Sequence, residues 1–210
     1  VFPGRVARVR RAAEASAVLT WLVSVALAEP LPVVVVGDAL VSGGPGAVPG
    51  GWVSVVSDCL DEAHPGGFSI VDRTRGGERP ADLLGRLAEL RPATGVVVVG
   101  FGFGGDAADA RSVVDALTAP IGARVLLIAA VAERAERTDE VTAFNVALEG
   151  LLDAAGRVRM VDPGPVLDKG AGELWVRGQL TDAGHARLGA LVCEALAPPA
   201  PPVPVAPDSE

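Results

Sequence analysis

Val33-Val34-Val35-Val36-Gly37-Asp38-Ala39-Leu40 is a run of four β-branched residues that stops at a glycine and a carboxylate. Four valines in a row leave no polar face, so this stretch reads as a strand covered on both sides, and Gly37-Asp38 marks the point where the chain leaves the sheet. The same kind of short apolar run recurs at 68–71, 96–99, 125–129 and 158–161. Between these runs, apolar residues at helical spacing cover roughly 52–62, 81–90, 106–117, 139–154 and 181–196. Strands apolar on both faces and joined by helices long enough to cross over predict an α/β domain: a parallel five-stranded sheet with helices on both faces.

The chain has 210 residues, 50% of them hydrophobic, and a formal net charge of −8; its mean hydropathy is +0.40. That is ample for one buried core and excludes disorder throughout. The acidic balance, with arginines scattered among more numerous carboxylates, argues against nucleic acid as a partner. No apolar run reaches the length of a transmembrane span.

Three segments are expected. Residues 1–28 carry Arg5, Arg8, Arg10 and Arg11 ahead of an apolar run that ends in Ala26-Leu27-Ala28. This reads as a signal peptide or as an N-terminal amphipathic helix, with export or the cell envelope favoured and the cytoplasm the alternative. Residues 29–197 form the folded domain, and the proline-rich stretch 198–210 has little to bury and is expected to be disordered or polyproline-like. Cys59 and Cys193 each fall on an apolar helix face, so two buried thiols are expected rather than a disulfide.

In an open α/β sheet, ligands bind where strands give way to helices, so those loops hold the chemistry. Gly37-Asp38-Ala39-Leu40-Val41-Ser42-Gly43-Gly44 resembles the first block of the SGNH, or GDSL, hydrolases, in which a serine follows Gly-Asp. The segment from Ile70 to Leu84 resembles the second block, and Gly77 matches the glycine whose amide points into the oxyanion hole. Gly100-Phe101-Gly102-Phe103 stands where the family has Gly-x-Asn-Asp, placing Gly102 at the oxyanion asparagine. Gln179-Leu180-Thr181-Asp182-Ala183-Gly184-His185 resembles the run from the catalytic histidine into the last helix. In that register Gln179 replaces the histidine and Val176 its aspartate. The resemblance implies a three-layer α/β/α sandwich of flavodoxin-like strand order 2-1-3-4-5.

It also implies a damaged site. Ala39 has no hydroxyl to attack an acyl carbon, Gly102 no side-chain donor, and Gln179 cannot take up a proton at neutral pH. Asp182 and His185 match the family's Asp-x-x-His literally and are the alternative dyad, with Ser42 or a water as nucleophile. The longer match instead makes Thr181 a helix cap and His185 a packing residue, in line with Leu188 and Val192. The expected function is therefore a non-catalytic relative of ester hydrolases. Its pocket, rimmed by Asp38, Ser42, Gly77 and Gln179, would take a small molecule, of acyl or carbohydrate type, or a partner.

Two further readings are weaker. Gly100-x-Gly102-x-x-Gly105 fits a dinucleotide fingerprint, but it lies mid-chain and Glu133 is too far on for the ribose-binding acid. His64 sits in the turn Ala63-His64-Pro65-Gly66-Gly67, where solvation is the expected fate. With two histidines and no cluster at ligand spacing, neither a metal site nor a cofactor is expected.

Overall fold

The computed structural model describes residues 29–38, 50–90, 95–118, 123–131, 138–167, 174–176 and 179–197. The stretches expected to be a leader (1–28) and a proline-rich tail (198–210) lie outside them. The chain divides after Pro30, and the second unit holds every described helix and strand.

Five parallel strands build the sheet: β1 (Leu31–Gly37), β2 (Phe68–Asp72), β3 (Val96–Gly100), β4 (Arg124–Ile128) and β5 (Val158–Val161). Their order is β2-β1-β3-β4-β5, so the fold class and strand order implied by the sequence are both found. Helices α1 (Gly51–Ala63), α2 (Pro80–Leu90), α3 (Ala107–Thr118), α4 (Thr138–Glu149) and α5 (Asp182–Leu196) complete the layers. Alternation along the strands sorts the valines between two cores. Val34, Val36, Val97 and Val99 pack with residues of α2, α3 and α4, while Val33, Val35, Val96 and Val98 pack with residues of α1 and α5. Each side chain removed from water in this way contributes up to about 1.5–3 kcal/mol, which makes the central strands the anchor of the fold.

Three features depart from the sequence reading. The helix expected over 139–154 ends at Glu149. There the bonding tightens to i→i−3, with Leu151 N–H donating to the Leu148 carbonyl at 2.9 Å. The Asp153 carboxylate then accepts the amides of Arg157 and Val158 at 2.6 and 3.1 Å. Those bonds build the turn into β5, and the one from Val158 is the largest cause of a lowered Asp153 pKa.

Second, an unexpected hairpin, β6 (Trp175–Val176) paired antiparallel with β7 (Gln179–Leu180), precedes α5. Two residues per strand are too few to show an alternating pattern in sequence. Third, the expectation of two buried thiols is corrected: Cys59 of α1 and Cys193 of α5 form a disulfide, with their Cα atoms 6.4 Å apart across 134 positions of sequence. Sequence gives no distance between helices, so pairing could not be told from burial.

Candidate functional site

The two central strands end together, Gly37 opposite Gly100. A Cβ on Gly37, whose φ is +119°, would lie 1.8 Å from the Gly100 carbonyl oxygen, so only glycine lets the chains come this close. Asp38 follows at once. Its amide donates to Gly100 O at 3.0 Å, and its side chain is nine-tenths buried between the loops that leave β2 and β3.

The Asp38 carboxylate touches both positions assigned to oxyanion stabilisation. The Gly77 amide donates to Asp38 Oδ1 at 2.6 Å. At Gly102, φ is +57° and a Cβ would stand 2.1 Å from Asp38 Oδ2. A side chain at 102 therefore collides with this carboxylate unless the loop or the carboxylate moves.

The Gly77 loop is braced from behind. Arg73 and Arg75 donate their amides to the carbonyls of Val35 and Gly37, at 2.8 and 2.9 Å, which extends the β1–β2 pairing past the sheet. Buried Arg86 of α2 forms a two-point ion pair with buried Glu78 and donates to the Arg73 carbonyl at 2.7 Å. Paired and hydrogen-bonded in this way, the two charges escape the penalty that either would suffer alone.

On the other side, Asn145 of α4 clamps the chain leaving β4. Its Oδ1 accepts the Ala130 amide at 2.8 Å and its Nδ2 donates to the Ala130 carbonyl at 2.9 Å. The next amide, of Val131, donates to Gly102 O at 3.0 Å. Sequence reading missed Glu78, Arg86 and Asn145. For Arg86 and Asn145 a lone polar residue on a helix was the available signal, and it does not name a partner.

Between these loops and α4 lies a cleft of about 550 Å³. Asp38 and Gly77 line it, together with Phe103, Asp106, Glu140 and Phe144. Gln179, exposed on β7, does not line it. Ala39 and Ser42 lie outside the described residues, as do the side chains of Val176 and its neighbours in the hairpin. Val176 and Gln179 face each other in the hairpin register.

The Asp182-x-x-His185 pair has a different environment. Thr181 is the N-cap of α5, its hydroxyl accepting the Gly184 amide at 3.3 Å, and Asp182 is exposed in the first turn. His185 is 2% exposed, on the buried stripe that continues through Leu188 and Val192. Burial pushes its pKa down, opposed by the smaller pull of the Asp182 charge. Its Nδ1 has no hydrogen-bond partner among the described residues.

The glycine-rich loop does not present a helix start to a phosphate. Asp106 Oδ1 accepts the amides of Ala108 and Asp109 at 2.7 and 3.3 Å, which caps α3 with a carboxylate. Phe101 is buried edge-on against Phe144, with ring centroids 5.7 Å apart. Among the described residues no group of three or more His, Cys, Asp and Glu could hold a metal ion. No described helix is long and apolar enough to cross a membrane.

No family model and no curated protein matches the chain. Solved structures do. A lipolytic protein of the G-D-S-L family from Desulfitobacterium hafniense superposes with a TM-score of 0.60 at 17% identity, over 79% of this chain and 99% of that one. This chain has the SGNH hydrolase fold. A lipase/acylhydrolase from Enterococcus faecalis shares the SGNH fold at a TM-score of 0.62 and 19% identity, over 79% of this chain and 94% of its own. The protein TesA gives 0.66 and 24%, over 79% and 97%. At these identities the likeness is one of fold.

Proposed function

We propose that this SGNH-fold domain is a non-catalytic relative of ester hydrolases that binds a small molecule, of acyl or carbohydrate type, or a partner in the cleft beside Asp38 and Gly77. The observation that carries the reading is Gly102. The position matched to the oxyanion asparagine has no side chain, and a Cβ there would lie 2.1 Å from Asp38 Oδ2. The Asp38 side chain thus occupies the space an asparagine would need. With Ala39 at the nucleophile position and Gln179 at the base, the covalent route to ester cleavage lacks its nucleophile, its base and one oxyanion donor.

The cleft itself is of the size that ligand pockets usually have. Against the alternative dyad weighs the 2% exposure of His185, since a general base must come within hydrogen-bond reach of the proton it removes. The disulfide favours folding in an oxidising compartment, in keeping with an exported protein.

A fluorophosphonate probe, which reacts only with activated serines, tests the reading. The purified protein is expected to remain unlabelled. Labelling that disappears in Ser42→Ala would establish a re-routed nucleophile and overturn the proposal.

A further inference from the structure

The Cys59–Cys193 bond joins the two helices that cover one face of the sheet, and their packing shows how they run. A Cβ on Gly189 would lie 2.6 Å from Val55 Cβ and 3.0 Å from Trp52 O. Cys193 is one turn beyond Gly189, and Cys59 one turn beyond Val55. Hence α1 and α5 are parallel, pressed together at a glycine in the middle and bolted at their C-terminal halves.

They differ in how else they are held. Helix α1 is threaded between β1 and β2, both members of the main sheet. Helix α5 is the last described element and is entered from β6–β7, which among the described residues pair only with each other. The two helices also carry a built-in weakness. Trp52 Nε1 on α1 and His185 Nδ1 on α5 are both buried without a hydrogen-bond partner among the described residues. Each would gain one from water if the helices parted.

We propose that α5 is a redox-sensitive strap, held on the face of the domain by the Cys59–Cys193 disulfide and released with the β6–β7 hairpin when that bond is reduced by a dithiol. A thiolate of the dithiol attacks the sulfur of half-buried Cys59, the S–S bond breaks, and the electron pair leaves on Cys193, which takes up a proton. The second thiol of the reductant then attacks the mixed disulfide, forming the oxidised dithiol and freeing Cys59 as a thiol. This inference does not rest on the reading of the cleft.

Hydrogen exchange on the full chain, oxidised and after dithiothreitol at pH 7.5, tests it. Reduction is verified by the appearance of two thiols per chain. The amides of α5 and β7 are expected to exchange at least tenfold faster after reduction, while those of β1, β3 and β4 change less than twofold. Equal acceleration everywhere, unchanged exchange in α5, or a bond that resists dithiothreitol in the folded protein would each overturn the strap.

Discussion

The loops at the exit of β1, β2 and β3 and the first turn of α5 both resemble, in sequence, segments of the same hydrolase family, yet they differ in what the resemblance is worth. At the loops Gly37, Asp38 and Gly77 converge, and Gly102 faces a carboxylate; on the proposed reading the backbone is in place while the reactive groups are missing. In α5 the reactive group is present, but its place is wrong for reaction. His185 is in the core, its pKa pushed down by burial, with Leu188 and Val192 on the same stripe. The difference teaches that a residue type at a motif spacing has no chemical role until burial and neighbours give it one.

The sharpest attempt to break this contrast is to restore the missing donor. Gly102→Asn forces a Cβ toward Asp38 at a φ of +57°. It is expected to cost about 2–4 kcal/mol in urea unfolding, from crowding and left-handed backbone strain together. An asparagine accepted at no cost would mean that the loop still has room for the oxyanion donor.

A smaller effect sharpens the other half. The folded pKa of His185 lies below its ordinary value of 6.5. Below pH 6.5 the unfolded chain therefore binds a proton that the folded one refuses, and stability falls as the pH drops. The limiting slope for one such group is about 1.4 kcal/mol per pH unit. Between pH 6.5 and 5, above the usual carboxylate range, His185→Leu is expected to flatten the fall in Tm. If the substitution leaves the slope unchanged, His185 is protonated in the folded protein and is not a core residue.

How far the sequence could be read follows from what each feature depends on. The short runs rich in β-branched and apolar residues predict the five strands because their signal is local and repeated, and the longest helices follow from their apolar stripes. Thr181 is legible as a cap because a hydroxyl before an apolar stripe has one local use. The Asn145 clamp and the disulfide are not legible, since each joins segments whose approach is set by the tertiary fold. The most telling contact, Asp38 against Gly102, is of the same kind: both residues are plain in sequence, and their proximity exists only once β1 and β3 are paired.

The central claim is that the chemistry has left this fold, and hydrolysis of a short-chain aryl ester by the protein and by its Ala39→Ser variant tests it most directly. A new hydroxyl at 39 would still need a base within hydrogen-bond reach, which Gln179 cannot supply at neutral pH. Both proteins are expected to stay at the buffer rate. Turnover in Ala39→Ser that vanishes when His185→Ala is added would contradict the account and make His185 a working base.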